Sequence, residues 1–205
     1  MKFTNRSVIK FLYIYIMRPQ KVQDADIITS LVKAFRANGY EGTSLAELAK
    51  STGLKKASLY HRFPNGKEEM ANAVFLYIER WVDEHIFNGL LDESIASKNR
   101  LQKALEQISN SYNNGKESCV FRTLSIGQSL ELFDLQIKNG MKKWITAFTK
   151  FGIAIGLSEV KAEKLALNTL IKIQGSLVVT KGMNDLSIFE NTLKEIEVNY
   201  LKVIE

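Results

Sequence analysis

Apolar positions recur along most of this chain at alternating intervals of three and four residues, the spacing that gathers them on one face of an α-helix. Residues 22–38 carry Ile28, Leu31, Val32 and Phe35 in that register, and Asn38 and Gly39 mark the stop. Ser44 followed by Glu47 is a capping-box pattern that opens a short second helix, 44–50, with Leu45, Leu48 and Ala49 on its inner side. Ser51, Thr52 and Gly53 make a tight turn, Leu54 points back to the core, and a third helix is predicted over 55–62. On it Leu59 and the following Phe63 face inward, which leaves Ala57 and His61 opposite, flanked by Ser58 and Tyr60. Pro64 stops this helix, and Asn65 with Glu68 is the expected cap of a fourth, 65–88, striped by Val74, Tyr77, Ile78 and Trp81.

Longer helices follow. Residues 98–112 form one, then Asn113, Asn114 and Gly115 a loop. An apolar-rich stretch over 126–156 is interrupted at Asn139 and Gly140, where a kink or break is expected. Helices over 159–181 and 186–203, parted by a turn at 182–185, close the chain. The last carries Phe189, Leu193, Ile196, Tyr200 and Val203 at heptad-like steps, which fits either an internal core face or a subunit interface. With only 2 Pro, both ahead of residue 65, the fold class expected is all-α: an N-terminal three-helix, helix-turn-helix domain and a larger C-terminal helical domain. The boundaries expected are an arm over 1–20, the small domain over 21–66 and the large one over 67–205.

Composition sharpens this outline. With 45% hydrophobic residues in 205, the chain can bury a sizeable core. Its formal charge of +6 is confined to the first 70 residues, which hold 12 Lys and Arg against 6 Asp and Glu, leaving 16 of each in the remainder. Clustered cations on a small domain suit a polyanion, because binding releases condensed counterions. Lys55 and Lys56 open the third helix and Lys67 the fourth, where the helix dipole disfavours positive charge and a phosphate would favour it. One cysteine, Cys119, and two distant histidines, His61 and His85, give no disulfide framework and no metal site, and no cofactor is implied. The apolar run from Phe11 to Met17 is too short to span a bilayer and lacks a signal-peptidase pattern, so a cytoplasmic protein without membrane attachment is expected. No nucleophile triad, carboxylate pair or phosphate loop stands out, so an enzyme is not expected.

The residues from Ile27 to Met70 carry G-Y-x-x-T-S, then A-E-L-A-x-x-x-G-L, then L-Y-H-R-F-P-N-G-K-E-E, and together these resemble the DNA-binding segment of the TetR family of bacterial regulators. The resemblance covers about a quarter of the chain. It implies a homodimer packed through the final two long helices, with Thr43 and Ser44 as backbone contacts at the start of the second helix. It further implies recognition-helix contacts by Lys56, Ser58, Tyr60 and His61 and a phosphate contact by Lys67; Lys55 joins them by its place at the helix start. Lys55 stands where that family commonly has a Ser or Thr cap, and Ala57 where Gly is frequent.

The function expected is therefore a ligand-responsive transcriptional repressor that binds a pseudo-palindromic double-stranded operator as a dimer and is released by a small apolar or aromatic effector. An activator of the same family, or a helical small-molecule-binding protein without an operator, are the alternatives. Aromatic residues of the C-terminal half, Phe75, Trp81, Phe121, Trp144 and Phe148 foremost, with Phe87, Cys119 and Phe151, are the expected lining of the effector pocket.

Overall fold

The computed structural model describes residues 24–202, and among these all regular structure is helical. The expected arm over 1–20, the start of the first helix at 22 and Val203 lie outside the described residues.

Three short helices form the N-terminal head. In α1 (Asp24–Asn38) the apolar stripe buries Ile27, Leu31, Val32, Ala34 and Phe35. The helix α2 (Leu45–Thr52) opens on the expected capping box: the Ser44 hydroxyl accepts from the Glu47 N–H at 3.2 Å, and the Glu47 carboxylate accepts from the Ser44 N–H at 2.6 Å. Gly53, at φ 68°, then reverses the chain in a left-handed conformation that costs a glycine nothing. In α3 (Lys56–Arg62) Leu59 is the buried residue, so this helix is pinned by one apolar anchor and by an ion pair between Arg62 and Asp24 at the start of α1.

The next helix, α4 (Lys67–Val82), runs without a break through a π-helical stretch, Asp83–Phe87, into α5 (Asn88–Leu91). Its cap differs from the sequence expectation. Gly66, not Asn65, holds the cap position at φ 70°, and Glu69 rather than Glu68 reaches back, its carboxylate accepting from the Asn65 N–H at 2.8 Å. The positive φ decides this, since it is strained for a residue with a β-carbon.

The C-terminal part comprises α6 (Ser97–Ser111), α7 (Val120–Thr123), α8 (Ser129–Ala154), α9 (Glu159–Met183) and α10 (Ser187–Leu201). The helix α8 does not break at Asn139 and Gly140. Its one non-helical residue is Phe133 (φ −124°, ψ 18°), four residues from its start, where the ring is buried against Tyr40 and Phe75. Gly140 serves close approach instead, because a β-carbon there would stand 2.3 Å from the Phe121 ring. On α10 the heptad-like seam is internal: Phe189, Leu193, Ile196 and Tyr200 are all buried within the chain, with Tyr200 5.5 Å from Phe151 and 6.0 Å from Phe148. Exposed apolar residues recur along α9, at Val160, Leu167, Ile171 and Val178, while Ala162, Ala166, Leu170, Ile173 and Leu177 of the same helix are buried.

Candidate nucleic-acid interface and effector groove

The head presents α3 outward. Lys55, Lys56, Ser58 and His61 are exposed, and Tyr60 retains 45% of its surface. Lys55 occupies the cap position of α3 without any side-chain cap, and the first turn holds no acidic residue. The helix start thus combines two lysines with the positive end of a dipole, an arrangement whose natural counterion is a phosphate. Ser44, exposed at the start of α2, lies on the same small domain.

Two of the expected contacts have other duties. Thr43 is fully buried, and its hydroxyl donates to the Gly39 carbonyl at 2.5 Å, closing the end of α1. That side chain fastens the head from within, whereas the sequence reading set it beside Ser44 as a backbone contact at the start of α2. Lys67 is half-buried, donates to the Tyr40 carbonyl at 2.8 Å and stands 4.2 Å above the Tyr40 ring. Its ammonium has two further hydrogens, so it can hold Tyr40 and an anion together.

Tyr40 and Glu41 connect this head to the rest. The Tyr40 ring meets Phe133 edge-on at 5.1 Å, and Phe133 lies 5.4 Å from Phe75, itself 5.6 Å from Phe121. The Glu41 carboxylate accepts from the Ser129 N–H at 2.8 Å and from its hydroxyl at 3.3 Å, so a residue of the head caps α8. Desolvation pulls the Glu41 pKa up, but hydrogen bonds from its own backbone and from Ser129, with the charge of Lys67, outweigh it and leave the carboxyl below its ordinary value.

A groove of about 400 Å³ runs between α4 and α8. Phe75, Leu76, Phe121 and Leu135 supply apolar walls, and Asn72, Gln136 and Asn139 polar ones, with the Gln136 amide donating to Asn72 at 2.7 Å. The groove continues past Glu79 into a wider cleft of about 500 Å³ beside Phe87, Leu91 and Ala147, fringed by Lys142, Lys143 and Lys150. Lys143 bridges Glu79 at 2.6 Å and Asp83 at 2.9 Å, and the hydrogen bonds it donates to these carboxylates raise its pKa.

Of the aromatics expected to line a pocket, Phe75 and Phe121 line the groove, and Trp144 borders it where it meets Phe87 edge-on at 5.2 Å. Phe148 does not: it is 1% exposed, packed between Trp144 and Tyr200 in the core. Trp81 does not either; it stacks on His85 at 4.7 Å and lines a separate cleft against α1. Leu76, Leu135, Asn72 and Gln136 escaped the sequence reading because they sit just off the stripes that mark their helices' buried faces. Their one signal is that Leu76 and Leu135 are apolar yet off-stripe, and they are 57% and 61% exposed.

Residues 27–74 match the family described as bacterial regulatory proteins, tetR family. An uncharacterised HTH-type transcriptional regulator of Bacillus subtilis, YxaF, is 26% identical over 166 residues, covering 78% of this chain and 85% of the relative. The HTH-type transcriptional repressor ComR of Escherichia coli is 43% identical over 67 residues, 32% of this chain and 31% of the relative. Among solved structures, a TetR transcriptional regulator from Legionella pneumophila superposes with a TM-score of 0.73 at 20% identity, covering 88% of this chain and 98% of the other. The all-helical architecture, with an N-terminal helix-turn-helix and a C-terminal helical part, is thus shared.

Proposed function

We propose that this chain, whose residues 27–74 match the tetR family of bacterial regulatory proteins and which is similar along most of its length to an HTH-type transcriptional regulator, is an effector-released repressor that reads a two-fold operator as a homodimer. The observation that carries this reading is the outward face of α3, where Lys55, Lys56, Ser58, Tyr60 and His61 stand exposed with no carboxylate in the helix's first turn. Small and polar side chains there allow close approach to base edges, and the lysines meet phosphates. Ser44 and Lys67 add backbone contacts from the starts of α2 and α4, and residues 21–66 act as the DNA-binding domain of an otherwise effector-binding and dimerising chain.

Dimerisation is supported by α9. Its exposed Val160, Leu167, Ile171 and Val178 fall at steps of seven, four and seven, so they form one apolar seam with no partner among the described residues. A second copy related by a two-fold axis would cover that seam and set two α3 helices for successive major grooves.

The effector is an apolar or aromatic small molecule held by Phe75, Phe121 and Trp144 in the groove between α4 and α8. Its means of action is differential affinity: a conformer with α4 and α8 further apart accepts it better than the operator-bound conformer does. Since α4 holds Tyr40 through Lys67 and α8 is capped by Glu41, both walls of the groove are tied to the head. The test is operator binding by the purified chain to DNA upstream of its own gene. Substituting Lys56→Ala or Tyr60→Ala is expected to weaken binding at least tenfold, about 1–3 kcal/mol per lost base or phosphate contact. Unchanged binding in both variants would reject the reading.

A further inference from the structure

A second pair of clefts lies on the opposite side of α4, at the seam between α1 and the C-terminal part. One, of about 190 Å³, is walled by Val32, Tyr77, Ile78 and Trp81; the other, of about 270 Å³, is formed by Lys33, Arg36, Lys116, Ser118 and Lys181. They adjoin each other, since Lys33, Arg36 and Glu117 line both. Four cations therefore converge against one carboxylate, Glu117, which is already paired with Arg36.

Such crowding of like charges costs free energy unless an anion relieves it. Arg36 adds an independent sign. Its Nη1 donates to the Ser111 carbonyl at 3.0 Å, yet its Nε is buried and finds no acceptor among the described residues. A buried donor left unmatched calls for an acceptor of some kind. Beside this charge sits a flat apolar wall, the Trp81 ring with Ile78 and Val32.

We propose that this seam is a binding site for a small dianionic compound with an apolar or aromatic body, of the phosphate monoester class. The phosphate lies among Lys33, Arg36, Lys116 and Lys181, and the apolar part lies against Trp81 and Ile78. The site is distinct from the groove between α4 and α8. Lys33 and Arg36 belong to α1, Lys116 and Lys181 to the C-terminal part, so the ligand staples the head to the body and opposes movement of one against the other. Phosphate, rather than a monoanion, matches the excess of positive charge.

Calorimetric titration of the full chain with phenyl phosphate and with inorganic phosphate tests this without DNA. Saturable binding of phenyl phosphate is expected, tighter than inorganic phosphate because the ring meets Trp81. Lys33→Ala and Lys181→Ala, both at exposed positions and not expected to disturb folding, should each weaken it about fivefold, as loss of a partly exposed ion pair does. The double variant should keep its operator affinity when no phosphate ester is present. Absence of saturable binding, equal affinity for the two phosphates, or an unchanged dissociation constant in the double variant overturns the assignment. So does a loss of operator affinity in that variant, which would make these lysines DNA contacts.

Discussion

At Gly140 a β-carbon would stand 2.3 Å from the Phe121 ring, so the smallest change available, Gly140→Ala, forces that ring out of the groove wall. Overpacking of this kind is expected to cost about 1–3 kcal/mol, read as a lower urea midpoint, and to alter effector response more than operator affinity. Thr43 and Ser44 separate by the same logic of contacts. Thr43→Ala removes a buried hydroxyl bonded to the Gly39 carbonyl and should lower stability by about 1 kcal/mol while leaving the DNA salt dependence intact. Glu41 links stability to pH. Its folded pKa lies below the ordinary 4.5, so the carboxylate's contribution is complete above that value and is lost as pH falls through the lower folded pKa. Glu41→Gln should therefore flatten the acid limb of the stability profile, measured by thermal unfolding from pH 3 to about 7.

Among the elements, α10 takes one of the two roles that its pattern left open. The heptad-like seam of α10 is spent inside the chain, where Phe189, Leu193, Ile196 and Tyr200 are buried, and exposed apolar positions recur along α9. Placing a carboxylate in that seam, as in Ile171→Glu, is expected to shift sedimentation velocity toward the monomer with helicity unchanged, since Ile171 is 57% exposed and its replacement opens no cavity. How far the sequence foretold each element depended on whether its cause is local. The capping box at Ser44 and Glu47, the stop at Gly53 and the short helix around Leu59 are set by residues within a turn of one another, and all were legible. The distortion of α8 was not, because Phe133 answers to Tyr40 and Phe75, both distant in sequence, whereas Asn139 and Gly140 look like breakers but sit in an intact helix. The aromatics of the C-terminal half announced burial, not which side they bury: Phe75 and Phe121 reach the groove, Phe148 the core and Trp81 the far seam.

For the molecule as a whole, the arrangement is a small head fastened at several points to a helical body, with clefts both within the body and at the seam between the two. The fastenings are of different kinds: the Lys67 ammonium on Tyr40, the Glu41 cap on Ser129 and the Arg36 pair with Glu117. Each joins the head to a different element, and two of them start from α4 and α8, the walls of the groove. No helix among the described residues is long and apolar enough to cross a membrane, and the excess positive charge is all in the first 70 residues. The central claim, that this charge grips duplex phosphates while α3 reads bases, is tested most directly by anisotropy titrations of one labelled operator duplex at rising salt. The account predicts a linear fall of log affinity with log salt, a slope made shallower by about 1.8 in Lys56→Ala, about 0.9 for each protomer, and an intact slope with weaker binding in Tyr60→Ala. Affinity that ignores salt, or that survives both substitutions, would contradict it.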